Sequence, residues 1–216
     1  MVTGILLAAG SSERMGKNKM LMRIAGKTPL ELSYGALLNS GVDDIIIVVS
    51  ESTEGAANEL LKTKPTRLVR GGKTRAGSVF NALCACESTD IAVIHDAARC
   101  LVTPDIINES IRLTIEHGSA VAAVPVRDTM REKDTGSTVN RDSLLAMQTP
   151  QAFMFDRIYK AYCENKDSLQ SSTDDCGLYI KEGFEPHYFN AGFTNQKLTY
   201  ESDIEFFSAI IALRKA

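Results

Sequence analysis

The chain has 216 residues, of which 44% are hydrophobic and 24% charged, with a formal net charge of -3. That length and apolar content fit one domain with a real core and exclude a chain disordered throughout. The slightly acidic balance excludes a nucleic-acid surface spread over the whole fold, while a local basic pocket stays open.

Five cysteines occur, Cys84, Cys86, Cys100, Cys163 and Cys176. Their odd number and irregular spacing resemble neither a disulfide framework nor a zinc site, so a reducing, cytoplasmic setting is expected. The N-terminal apolar run is of strand length, which predicts neither a signal peptide nor a membrane span.

In chain order, residues 4–8 read as a buried strand, 29–41 as a helix closed by Gly41, and 44–50 ("DIIIVVS") as the clearest buried strand. A helix follows at about 53–63, a strand at 66–70, a helix at 74–86 and a strand at 91–95. Pro104 opens a helix that stops at Gly118, and 119–126 is another apolar strand. Residues 127–151 break this rhythm: the stretch is polar, with a turn signal at "DTGS", and reads as a two-stranded excursion. Helical spacing returns at about 154–166 and 174–182, followed by a short strand near "PHYFN" and a helix at 201–214. The alternation predicts a single α/β domain over 1–216. Its sheet is doubly wound, mainly parallel and Rossmann-like, with a protruding β-arm at about 127–147. Ligands of such sheets bind at the C-terminal ends of the strands.

Four stretches carry chemistry. "ILLAAGSSERMGKNKML" (5–21) leaves a strand through small residues and then presents Arg14, Lys17 and Lys19. Both the dinucleotide G-x-G-x-x-G and the P-loop fail, the latter by one residue of spacing and by Asn18 at the Ser/Thr position. The physics of both still applies, since Ala8, Ala9 and Gly10 let backbone N–H groups approach a phosphate and the cations neutralise it. A solvated basic turn is the bland alternative. In "IAVIHDAARC", Asp96 stands at a strand end, suited to a magnesium or ligand contact, and Arg99 can fork onto an anion. The bland readings are a turn cap paired to Arg99 and, for His95, a packed structural residue. "VRGGKTRAGSV" puts Arg75 and Ser78 on the first turn of a helix behind Gly71-Gly72, either an anion or base site or an ordinary helix start. "NQKLT" puts Lys197 inside a short strand, where a lysine is usually a solvated edge residue.

With these stretches in this order, the chain resembles the 2-C-methyl-D-erythritol 4-phosphate cytidylyltransferase family from Ile5 to Phe206. The residues that carry the resemblance are "LLAAGSSERMG", "GGKTRAGSV", "VIHDAAR", "AAVPVRDTM", "VNRDSLLAMQTPQAF", "STDD" and "NQKLT". The resemblance implies condensation of CTP with methylerythritol phosphate, with release of pyrophosphate, in the non-mevalonate route to isoprenoids. It implies that the opening loop wraps the triphosphate and that Arg14 and Lys19 stabilise departing pyrophosphate. Arg75, Ser78 and the Gly71-Gly72 backbone would surround the cytosine. Asp96 and Arg99 would hold the methylerythritol phosphate or its diol, Lys197 would reach the α-phosphate, and Thr129, Arg141 and Thr149 would bind the second substrate. It further implies Mg2+ held mainly by the CTP phosphates, with Asp96 as a protein ligand, and a homodimer made through the β-arm.

The sequence departs from the family pattern at Asn18-Lys19-Met20, where Pro-Lys-Gln is usual, at Lys73 in place of an acid, and at Cys100 in place of a proline. Glu201-Ser202-Asp203 replaces Pro-Glu-Asp. None of these changes removes a charged residue assigned to chemistry. The nucleophile would be a substrate phosphate oxygen, so no general base is needed; cations and a metal do the work. The rivals are a ribitol-5-phosphate cytidylyltransferase, disfavoured by Ala97-Ala98 and "VRDT", and a CTP-binding protein without turnover. A nicotinamide oxidoreductase is disfavoured by the missing glycine fingerprint. Nucleic acid and membrane are not expected partners.

Overall fold

The computed structural model describes residues 1–10, 18–61 and 64–214. In chain order the first elements are β1 (Val2–Leu7), α1 (Pro29–Leu38), β2 (Asp44–Val49), α2 (Glu51–Asn58), β3 (Thr66–Arg70), α3 (Arg75–Cys84), β4 (Ile91–Asp96), α4 (Pro104–His117) and β5 (Ser119–Pro125). The two-residue strands β6 (Met130–Arg131) and β7 (Thr138–Val139) follow. After them come β8 (Leu145–Met154), α5 (Phe155–Glu164), α6 (Asp175–Lys181), β9 (Tyr188–Asn190) and α7 (Asp203–Leu213).

A seven-stranded sheet runs in the order β3-β2-β1-β4-β8-β5-β9. Its pairings are parallel except those of β8, which is antiparallel to both β4 and β5. β2 is buried along its whole length, as expected of a β-branched strand covered on both faces. On one face, residues of α1, α2 and α4 pack around Leu6, Ile45 and Val93. On the other, α3, α5 and α6 cover Ile5, Ile46 and Phe153. A smaller cluster seats Phe207 and Ile211 of α7 on Cys100, Leu101 and Leu198. Helix starts follow local chemistry: Thr28 and Glu31 form a reciprocal capping box ahead of α1, and α4 ends at Gly118 with φ of +84°.

Two expectations need correction. The arm was expected to run to about residue 147 and the excursion to Gln151, yet Leu145–Met154 is an interior strand of the main sheet. The two-stranded hairpin is confined to β6 and β7, and residues 127–143 are exposed apart from the half-buried Val139. Lys197 was expected inside a strand; it lies instead on an irregular segment tied down by the Leu198 amide donating to the Ala98 carbonyl at 2.8 Å.

Candidate active site

The order of strands changes direction between β1 and β4: β1 continues outward to β2 and β3, while β4 leads to β8. Open α/β sheets bind ligands at such a switch point, beyond the carboxyl ends of the strands. Ala8 to Gly10 leave β1 there, and Asp96 ends β4 beside them, with the Ala97 amide donating to the Leu7 carbonyl at 3.0 Å. Gly10 is exposed, and no atom among the described residues would lie within 4 Å of a Cβ there. The turn from β3 to α3 closes against this loop. A Cβ on Gly71 would stand 2.5 Å from the Ala9 Cβ, and one on Gly72 would stand 2.7 Å from the Gly77 backbone. Only glycines permit that approach. Ser78 completes the turn by accepting from the Gly72 amide at 3.0 Å and donating to the Thr74 carbonyl at 2.9 Å.

Beside this turn is a pocket of about 270 Å³ lined by residues that include Arg75, Asp96, Arg99, Gln148, Thr149 and Lys197. Asp96 is only 7% exposed, yet it is charged from two sides. Arg75 Nε donates to Asp96 Oδ1 at 3.1 Å, and Lys197 Nζ donates to Oδ2 at 2.5 Å. Burial alone would push the Asp96 carboxyl up. The Arg75 guanidinium and the Lys197 ammonium together outweigh it and hold the group well below the usual carboxylate range. The rest of the Arg75 fork meets Asp175, with Nη1 at 3.0 Å from Oδ1 and Nη2 at 2.8 Å from Oδ2.

The geometry of Asp96 is set by its neighbours. Thr149 Oγ1 accepts from the Asp96 amide at 3.1 Å and bonds His95 Nδ1 at 3.0 Å, while His95 Nε2 lies 3.3 Å from the Arg99 carbonyl. A carbonyl can only accept, so Nε2 carries the proton, Nδ1 accepts, and the Thr149 hydroxyl is the donor to it. Burial pulls His95 down to about 4, so the ring is neutral, as the packed reading expects. Arg99 donates through Nη1 to the Asn195 carbonyl at 2.9 Å and through Nη2 to the Met147 carbonyl at 3.0 Å. Asn195 closes the circuit, its side-chain amide donating to Gln148 Oε1 at 3.1 Å and to the Thr149 carbonyl at 2.8 Å.

A defect in strand pairing makes this circuit accessible. β5 and β8 lose register between Val121 and Ala123, so Gln148 to Pro150 stand opposite Ala122 alone. A bulge re-aims side chains, and here Gln148 and Thr149 line the pocket.

Lys19 joins from the opening loop, its Nζ donating to the Leu198 carbonyl at 2.9 Å, one residue from Lys197. Asn18, at the position where the family has proline, caps the one-turn helix that carries Lys19: its Oδ1 accepts from the Met20 amide at 3.0 Å. Asp203, at the start of α7, accepts from the Thr199 and Tyr200 amides at 2.7 and 2.9 Å and so ties down the segment after Lys197. Cys100 is buried among Ile24, Leu198 and Phe207. Arg14 lies outside the described residues. Thr129 and Arg141 are exposed on the hairpin segment and do not line the pocket of their own chain. Sequence reasoning assigned Asp175, Gln148, Gln151 and Asn195 no role, although "STDD", "VNRDSLLAMQTPQAF" and "NQKLT" contain them; Asp174, the first Asp of "STDD", caps α6 by accepting from the Gly177 amide at 2.9 Å.

The donor set offers little to a resident metal. Both Asp96 oxygens face cations, and both Asp174 oxygens are engaged, by the α6 cap and by Gln151 at 3.1 Å. Among the described residues no three His, Cys, Asp or Glu side chains cluster as ligands. Asp96 as it stands does not fit the role of metal ligand.

With this geometry in hand, comparison with known proteins is direct. The family model described as IspD, 2-C-methyl-D-erythritol 4-phosphate cytidylyltransferase, matches residues 2–213. The protein of that name from Dehalococcoides mccartyi is 36% identical over 213 residues, covering 94% of this chain and 92% of its own. That from Caldanaerobacter subterraneus is 35% identical over 216 residues, covering 94% and 95%. The crystal structure of 4-diphosphocytidyl-2C-methyl-D-erythritol synthase from Anaerococcus prevotii superposes with a TM-score of 0.87 at 26% identity, covering 98% of this chain and 96% of that one.

Proposed function

The chain belongs to the 2-C-methyl-D-erythritol 4-phosphate cytidylyltransferase family and is an enzyme that joins CTP to methylerythritol phosphate in isoprenoid biosynthesis, and within that reaction we propose that the Asp96 pocket seats the acceptor. The observation that carries this assignment is the meeting of Arg75, Asp96, Arg99 and Lys197 in one pocket at the switch point.

The acceptor phosphate oxygen attacks the α-phosphorus of CTP, a new P–O bond forms, and the bond to pyrophosphate breaks with its electron pair leaving on oxygen. The nucleophile is already anionic, so the chain need supply no base. Its task is to align two polyanions and to meet the charge that builds on the α-phosphate. Ala8, Ala9 and Gly10 leave backbone room for the triphosphate. The tight Gly71-Gly72 turn, braced by Ser78, walls the base together with Arg75. Asp96 accepts from the hydroxyls of the polyol, with Arg99 and Thr149 holding its surroundings. Lys197, and Lys19, whose ammonium holds the neighbouring Leu198 carbonyl, face the α-phosphate, and Arg14 assists departing pyrophosphate.

Mg2+, when bound, would neutralise phosphate charge; we assign it to the CTP phosphates and water, as suits a cation that sheds its waters reluctantly. We also propose a homodimer in which the hairpin segment brings Thr129 and Arg141 to the pocket of a second copy. In support, these residues are exposed, as are the apolar side chains of Met130 on the same segment and of Leu145 at the start of β8. Five unpaired cysteines suit a reducing cytoplasm. No helix among the described residues is long and apolar enough to cross a membrane.

The test is pyrophosphate release from CTP and Mg2+ with methylerythritol 4-phosphate and ribitol 5-phosphate compared side by side. Release with the first alone is expected. Release with the second alone would overturn the acceptor assignment, and silence with both would overturn turnover itself.

A further inference from the structure

Asp175 is fully buried and lies behind the pocket, not in its lining. A buried carboxylate without a role in packing is costly, because removal from water disfavours its charge unless cations and donors replace the lost hydration. Here that replacement is complete. Asp175 receives two N–H groups from Arg75, at 3.0 and 2.8 Å, and the Tyr162 hydroxyl donates to Oδ1 at 2.5 Å. Tyr162 is itself fully buried on α5, and its phenol is pushed far up by burial and by Asp175, so it stays a donor.

We propose that Asp175, backed by Tyr162, is a positioning residue that fixes Arg75 and, through it, the orientation and free charge of Asp96. This rests on the reading of Asp96 as the acceptor contact. Arg75 has its forked end on one carboxylate and its Nε on another. Because Asp175 holds the fork, Asp96 receives one hydrogen bond from Arg75 and keeps Oδ2 for Lys197 at 2.5 Å. A guanidinium prefers two parallel bonds to a single carboxylate. Without the charge on Asp175, the fork would turn onto Asp96, occupy both its oxygens and displace Lys197. The polyol would then lose its acceptor group and the α-phosphate its aligned lysine, whereas the Gly71-Gly72 turn, held by Ser78, would keep its own hydrogen bonds and with them most of the grip on CTP.

The test compares Asp175→Asn, Tyr162→Phe, Asp175→Glu and Asp96→Asn in the full-length enzyme. The measurements are KM for methylerythritol phosphate, kcat, CTP Kd and the fraction folded. Asp175→Asn is expected to raise the acceptor KM by about tenfold or more and to lower kcat on the order of tenfold, with CTP Kd within about threefold. Tyr162→Phe should move the same constants by a smaller factor, and Asp175→Glu should restore part of the loss. Tyr162→Phe decides the matter should Asp175→Asn fail to fold. A merely structural role would lower kcat in step with the folded fraction and leave both substrate constants alone; that pattern would overturn the proposal. Asp96→Asn separates the two claims. If it leaves the acceptor KM unchanged, the reading of Asp96 fails and the proposal with it. If it raises that KM and neither Asp175→Asn nor Tyr162→Phe does, the positioning role alone is refuted.

Discussion

The end of β4 and the hairpin segment treat polar side chains in opposite ways. Around Asp96, each charged group is held by another part of the same chain: Arg75 by Asp175, Lys197 by Asp96, Arg99 by two carbonyls. Along residues 127–143, side chains other than that of Val139 face solvent, and most of their bonds stay within the segment, such as Arg131 to Gly136 and Thr138 or Arg141 to the Arg127 carbonyl. Groups fixed in advance by their own fold suit a transition state, where reorganisation during the reaction would cost rate. Polar groups left on an exposed segment suit contact with a second molecule. The difference supports the proposal that one region is preorganised and that the other completes the site of a second molecule.

The comparison can be broken most sharply at Lys197. Lys197→Ala should lower kcat by about 100-fold or more while CTP Kd moves by less than about tenfold. Equal losses in rate and CTP binding, read by steady-state kinetics and calorimetry, would count against a transition-state role. Arg141→Ala probes the exposed region. A fall of roughly 10- to 100-fold in kcat/KM for the acceptor is expected, without a change in melting temperature beyond what an exposed substitution gives. A clear loss of stability instead would place Arg141 with the internally fixed groups.

The third prediction concerns the support of the buried cluster. His95 titrates near 4 in the folded chain, against its ordinary 6.5, because burial disfavours the imidazolium. Between those values the unfolded chain binds a proton that the folded chain does not, so stability falls as pH drops through this window and levels off below 4. The integrated effect is about 3 kcal/mol. Denaturant unfolding at pH 6.5, 5.5 and 4.5 should show this slope, and His95→Gln should flatten it.

How much of this was readable in the chain itself depends on whether the signal was local. β1, β2, β4 and β5 are apolar runs with clear ends, and Asp96 stands out because a charge closes one of them. The glycine turn and the lysines follow the same logic. β8 escaped because its middle, "QTPQ", is polar and contains proline, while its place between β4 and β5 comes from tertiary pairing over long sequence separations. With β8 unseen, nothing marked Gln148 and Gln151 as neighbours of Asp96. Asp175 was hidden for a similar reason: a helix-start acid looks like a cap, and only the packing of α6 against α5 and α3 turns it toward Arg75. Lys197 was recognised by its motif, yet its segment is no strand.

The central claim is that a pocket fixed within one chain is completed by the hairpin segment of another. Mixing Lys197→Ala with Arg141→Ala protein, after subunit exchange, tests it most directly. In a two-fold dimer with shared sites, each mixed dimer holds one site free of both substitutions, so activity should rise to roughly a quarter of that of the unsubstituted enzyme from two nearly inactive parents. Exchange verified by mass with no recovered activity would contradict the claim.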